Sequence, residues 1–311
     1  MSSQTLLAAL CIITLAGFLI EIALDLLNQG NSNKPVPDHL KEFYDEDRYR
    51  KSLDYQQTRT RFGWWSSIFS LAISLLMLLS GGFGWLDGWL RGYITNPVWL
   101  SLSFFGLIMV ASTVVSLPFS WYGTFVIEER FGFNRTTPAL FFTDKAKGLL
   151  LGALIGAPLY WIFMKLVATL GTGFWLWFGV VAAVFILFMN MFYTSLLLPL
   201  FNKLTPLPDG ELREAIFSYA RNTGFPVENI MVMDGSKRSS KANAFFSGIG
   251  KRKKIVLFDT LIAQHTTDEL VAVLAHEAGH YRKGHILQGL VTSIIQVFFI
   301  LWVLSLVIDS N

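Results

Sequence analysis

HEAGH, residues 276–280, stands at the end of the polar stretch TTDELVAVLAHEAGHYRKGH (266–285), directly before the apolar run 286–308. On a helix His276 and His280 share one face, about 6 Å apart along the axis. Two imidazoles at that spacing can hold one Zn²⁺. In the HExxH pattern the Glu after the first His, here Glu277, is the general base toward a metal-bound water. The flanks predict a helix from near Thr267: Thr266 and Glu269 have capping-box spacing, and Leu270, Val271, Val273 and Leu274 supply an apolar side. The same pentad also fits an amphipathic helix whose two His are ordinary polar residues, so the rest of the chain has to decide.

The surroundings are those of a membrane protein. Of 311 residues, 53% are hydrophobic and only 15% charged, against about 25% charged in a soluble globular chain. Mean hydropathy is +0.48. Apolar runs of spanning length lie at roughly 5–27, 62–86, 98–122, 148–168, 174–200 and 286–308. The fold class expected is an α-helical polytopic membrane protein of about six spans with a small cytoplasmic α+β segment. No Lys or Arg precedes the first run and no small-residue cleavage site follows it, so it reads as a retained span. Pro158 predicts a kink in the fourth. The single Cys, Cys11, cannot form an intramolecular disulfide.

Cations set the orientation. The loops 28–61, 123–147 and 201–285 are rich in Lys and Arg, whereas the loops after the second and fourth spans have one nearby cation each, Arg91 and Lys165. By the positive-inside rule HEAGH is cytoplasmic and the N-terminus lies outside. The chain thus divides into a membrane region 1–200, a cytoplasmic segment 201–285 and a last span 286–311. In the middle segment 209–222 reads as a helix with Leu212, Ile216 and Tyr219 on one face, and 229–233, 242–247 and 254–258 read as strands, with Asp234-Gly235 as a turn and Gly248 and Gly250 as a hairpin connection. Lys237-Arg238 and Lys251–Lys254 form a solvated or lipid-facing basic surface. No nucleic-acid motif accompanies them.

A catalytic zinc takes three protein ligands and leaves one position for water. His285, nine residues after His276, falls on the opposite side of the helix, about 180° away; it is a poor ligand candidate and reads as a polar residue at the membrane boundary. After Glu277 the only side-chain carboxylate is Asp309, about 35 Å off across a helical span. Glu128, Glu129, Asp144 and Asp259 are loop carboxylates that could approach, but each reads first as a solvated or structural charge. Gly279 is costly in a helix, and fits either close packing or close approach of a substrate. The strand ANAFFSG (242–248) offers an edge to which an extended peptide can add as a strand, with Asn243 and Ala244 at the cleft. It can also be a core strand burying Phe245 or Phe246. A transporter would want more ionisable residues within its spans.

Five stretches together resemble one family. They are FVIEERFGFNRTT (125–137), FFTDKAKGLLLG (141–152), KRSSKANAFFSG (237–248), KIVLFDTLI (254–262) and HEAGHYRKGH (276–285). In order and spacing the chain resembles the type I CAAX prenyl proteases, integral-membrane zinc endopeptidases. The resemblance implies membrane helices around an internal chamber, capped by a zincin-like catalytic domain. It implies one Zn²⁺ held by His276 and His280, water activation by Glu277, and Asn243 and Ala244 along the substrate strand. The implied partners are a peptide or protein substrate, prenylated or membrane-bound, and membrane lipid. The implied location is a bacterial inner membrane or the endoplasmic reticulum. Family members take their third zinc ligand from a Glu beyond a further span, which is not among these 311 residues. The expectation is therefore a metalloendopeptidase lacking its C-terminal part; the alternative is an inactive fragment or membrane scaffold without the third ligand.

Overall fold

The computed structural model describes residues 2–32, 36, 38, 41–42, 45–224, 227, 229–247 and 254–308. Gly248 and Gly250 of the expected hairpin, Lys251–Lys253 of the basic run, and Asp309 lie outside the described residues. The chain forms two compact units, Met1–Gly132 and Phe133–Asn311.

In the first unit α1 (Ser3–Ser32) packs on α2 (Glu46–Leu79). Asp25, one of two acids in the first apolar run, accepts a hydrogen bond from the Trp64 indole at 2.9 Å, which satisfies a carboxylate that hydrocarbon would not. The second span differs from expectation at both ends. Its helix starts in the polar segment, where the Asp45 side chain caps the backbone N–H groups of Asp47 and Arg48. It stops at Leu79, and Gly81 turns the chain at φ 71° into a separate short helix, α3 (Gly82–Arg91). Phe83, Trp85 and Leu86 had carried the apolar run across that break. In α4 (Pro97–Tyr122) Asn96 is the N-cap and Pro97 the first residue, where a missing N–H costs nothing. A π-helical turn, Gly123–Glu128, continues it. The polar stretch 123–147, expected as a loop, is thus helical at both ends. Phe62 stacks on Tyr122 at 5.0 Å, and the Tyr55 hydroxyl donates to Glu128.

The second unit opens with α5 (Pro138–Leu170), capped by Thr137 and containing Pro158. A 3₁₀ turn, Gly171–Gly173, leads into α6 (Phe174–Leu196), and α7 (Leu198–Phe201) ends the run. Among the described residues five helical stretches are long and apolar enough to span a membrane, and the longest, Pro138–Phe201, contains both α5 and α6.

A four-stranded sheet follows, formed by β1 (Leu204–Pro206), β2 (Asn229–Met233), β3 (Ala244–Ser247) and β4 (Lys254–Phe258) in the order β1-β2-β4-β3. β2 and β4 match the expected strands. They pair in parallel at the centre, from Asn229 against Lys254 to Met233 against Phe258. Their shared apolar, β-branched character suits strands covered on both faces. β1 was not among the expected strands; it is an edge strand, where its Pro206 is tolerated.

Three helices accompany the sheet: α8 (Glu211–Thr223), α9 (Asp259–Gln264) and α10 (Thr267–Arg282). On one face of the sheet Ala244, Ile230, Ile255 and Leu257 pack with Ile216 of α8 and Leu270, Leu274 and Ala278 of α10. On the other, Met233 and Val256 meet Leu198 of α7, with Phe245 beside them. Phe245 and Phe246 therefore serve opposite faces, as the period of two requires. The chain returns to an apolar helix, α11 (His285–Ile308), which packs along α6.

Candidate metal centre

The helix that carries HEAGH starts with the expected capping box. The Thr266 N–H donates to Glu269 at 2.8 Å, and the Glu269 N–H faces the Thr266 hydroxyl at 3.4 Å. The hydrogen bonds from Thr266 hold the exposed Glu269 carboxyl below its ordinary range. At the other end Arg282 donates to the Thr223 carbonyl, the last of α8, and pins α10 there.

Leu270, Leu274 and Ala278 recur every four residues and fix which side of α10 meets the sheet. His276 lies about 200° from Leu274 around the helix. His276 and His280 therefore stand on the side away from the core, both exposed, with the half-buried Glu277 between. Their Nε2 atoms face each other at 3.1 Å. Two nitrogens each about 2.0–2.1 Å from a tetrahedral zinc stand roughly 3.4 Å apart, so the pair fits one such ion with little adjustment. A Cβ on Gly279 would meet no atom within 4 Å; among the described residues nothing packs there.

His285 is not where a continuous helix would put it. Gly284, at φ +67°, ends α10, and His285 starts α11. The reversal returns its ring to His280, with the two Nδ1 atoms 2.8 Å apart. The 180° expectation fails because it carried one helix through a glycine that breaks it. The signal was in the sequence: Gly two positions past a helix that ends in Arg is a common stop.

The structure places Asn243 and Ala244 at the start of β3, an edge strand, against the sheet face that α10 covers. The strand is shorter than expected, beginning at Ala244 rather than 242. Asn243 is exposed, but the Ala244 side chain is buried among core residues. Only the backbone of Ala244 faces outward. The Phe258 N–H donates to the Asn243 carbonyl at 3.0 Å. In an antiparallel ladder this turns the N–H and C=O of the next residue, Ala244, toward the open edge. There the N–H of Ala244 is met by the Asn243 side-chain oxygen at 2.9 Å.

Arg238, half of the basic pair Lys237-Arg238, organises the entry to β3. It forms a two-pronged ion pair with Asp144 of α5 at 2.7 and 2.9 Å and donates to the Phe201 carbonyl at 2.8 Å. Its own carbonyl accepts from Arg135 N–H and the Thr136 hydroxyl. The Ser240 N–H donates to the Phe133 carbonyl, and the Thr260 hydroxyl to that of Lys241. FNRTT (133–137) and KRSSKAN (237–243), about a hundred residues apart, are thus one hydrogen-bonded unit.

The loop carboxylates considered as ligands have other work. Asp144 holds Arg238, Asp259 accepts from the backbone of Ser236 and Thr260, and Glu128 accepts from Tyr55. Glu129 belongs to the Met1–Gly132 unit and lies just after the π-helical turn. Among the described residues no three His, Cys, Asp or Glu side chains converge as a metal site.

The chain is also similar to known proteins along most of its length. A family model described as the CAAX prenyl protease N-terminal domain, five membrane helices, matches residues 26–203, and that of peptidase family M48 matches residues 206–311. CAAX prenyl protease 1 of Saccharomyces cerevisiae is 39% identical over 284 residues, 88% of this chain and 62% of the relative. The probable CAAX prenyl protease 1 of Schizosaccharomyces pombe is 36% identical over 289 residues, 88% and 61% respectively. The crystal structure of S. mikatae Ste24p superposes with a TM-score of 0.86 at 38% identity, covering 96% of this chain and 72% of that one. The chain therefore spans a little under two thirds of the two yeast proteases' length. With five membrane helices in the first match and a peptidase domain in the second, it is an integral membrane protein, and it belongs to the CAAX prenyl protease family within peptidase family M48.

Proposed function

We propose that the protein is a membrane-embedded zinc metalloendopeptidase. The observation that carries this reading is the pair of Nε2 atoms, His276 and His280, converging at 3.1 Å on the open side of α10. These residues would hold the ion as two of its protein ligands. The third is assigned to the part of the relatives' length that this chain does not span. Bound there, zinc would lower the pKa of its water and polarise the scissile carbonyl.

Glu277, one residue past His276, is the general base. Its carboxylate takes a proton from the attacking water and passes it to the departing amine nitrogen. An extended peptide would add as a strand to the open edge of β3. Asn243 would swing its amide oxygen off Ala244 N–H, freeing that donor for the substrate carbonyl. The core position of the Ala244 side chain is compatible with this role, because strand addition uses the backbone.

By the cation pattern the 201–285 segment faces the cytoplasm, with 1–200 and 286–311 in the membrane. The substrate proposed is a membrane-bound protein with a prenylated C-terminal CAAX sequence, the class named by the relatives. Membrane lipid surrounds the spans, in the endoplasmic reticulum of a eukaryote or the inner membrane of a bacterium. A scaffold without catalysis has no observation of its own in support.

The test is Glu277→Gln in the full-length protein. Cleavage of a prenylated CAAX peptide should fall by about 10²–10⁴-fold, the usual contribution of a general base, while bound zinc stays at the wild-type level. Undiminished cleavage would reject the assignment.

A further inference from the structure

His280 has two ring nitrogens and the structure gives each a different neighbour. Nε2 faces His276 Nε2 at 3.1 Å; Nδ1 faces His285 Nδ1 at 2.8 Å. A neutral imidazole carries one N–H and one lone pair. If Nε2 directs its lone pair at a metal, the proton must reside on Nδ1, and a proton there needs an acceptor. His285 Nδ1 is that acceptor, with its own proton on Nε2.

We infer that His285 is a positioning residue: it accepts the Nδ1–H of His280, fixes that ring's tautomer and angle, and so aims Nε2 at the metal. The inference rests on the two-histidine site proposed above. Metal-binding histidines commonly hand their second nitrogen to a carboxylate or carbonyl; here a third histidine takes that place.

The backbone is built for this contact. Were α10 to continue, His285 would point away from His280. Gly284, at φ +67°, breaks the helix where few side chains could, and His285 opens α11 facing back across the gap. His285 is not itself a ligand of the same ion, because it meets the nitrogen of His280 that is turned from His276. The three rings run in series, with successive centroids 4.9 Å apart.

The experiment is a Co²⁺ titration of the full-length protein in detergent, followed by the visible absorption of the bound ion. It compares wild type, His276→Ala, His285→Leu and His285→Asn. His285→Leu keeps bulk and removes the acceptor, and should bind Co²⁺ about 10–100-fold more weakly with an altered spectrum. His285→Asn keeps an acceptor oxygen near the Nδ1 position and should restore both affinity and spectrum. Unchanged affinity in His285→Leu overturns the inference. So does an equal loss in Leu and Asn variants, which would mark a packing role. Should the Leu variant fail to fold, the tautomer of His280 in ¹⁵N-histidine-labelled, zinc-loaded wild type decides: Nδ1–H supports the inference and Nε2–H refutes it. Wild type that binds no Co²⁺, or binds it equally after His276→Ala, overturns the two-histidine site itself and this inference with it.

Discussion

The sheet unit and the helix that follows it use the same residue types in opposite ways. In the sheet Val256 and Leu257 are 0% exposed, and Ile216 of α8, packed on it, 1%. In α11, Ile295 and Phe299 are 63% and 60% exposed. Removal from water drives the first arrangement, at about 25 cal/mol per Å² of apolar surface. α11 is long and apolar enough to span a membrane, and for such a helix lipid is as apolar as the side chains, so association depends on fit. Gly179 of α6 shows the difference: it lies so close to Phe298 of α11 that a Cβ would come within 2.4 Å of the ring. One region is held by what it hides, the other by where it lets backbones approach.

Leu257→Ala should test this contrast most severely. It empties a buried site on the face that supports α10, and should cost about 2–5 kcal/mol, seen as a lowered unfolding midpoint. Phe299→Ala removes more atoms from a lipid-facing position and should change the midpoint little. Equal losses would break the comparison. Gly179→Ala is the converse case, where adding one carbon to α6 should cost about 1–3 kcal/mol by overpacking. Phe298→Leu in the same chain should recover part of the loss, and no recovery would mean the two helices are held elsewhere.

The smallest effect is expected outside the membrane, at Glu269→Gln. The Thr266 hydrogen bonds depress the Glu269 carboxyl in the folded state. A depressed folded value gives stability that is present above the unfolded value and lost as pH falls through the folded one. The wild type should therefore exceed Glu269→Gln in thermal stability at neutral pH, with the gap closing on acidification. A gap that widens in acid contradicts the cap.

Much of the molecule was legible in its sequence. β2 and β4 were readable because short apolar runs bounded by turn residues have few other uses, and Thr266 and Glu269 marked the start of α10. Hydropathy was a poorer guide to where helices stop: it carried the second span past Gly81, because Phe83, Trp85 and Leu86 are as apolar as what precedes them. Charge misled at 123–147, where Glu and Arg lie on helical turns. Two contacts could not be read from linear spacing. Arg238 meets Asp144 across ninety-four residues, and His285 reaches His280 only through the bend at Gly284.

The packing of α6 along α11 also orders events during synthesis. The sheet and the histidine-bearing helix are made between these two spans, so both emerge while the surface around Gly179 still lacks Phe298. At typical rates of about 5–20 residues per second, on the order of ten seconds separate the completion of the two helices. The sheet has that interval to close before its second membrane anchor arrives.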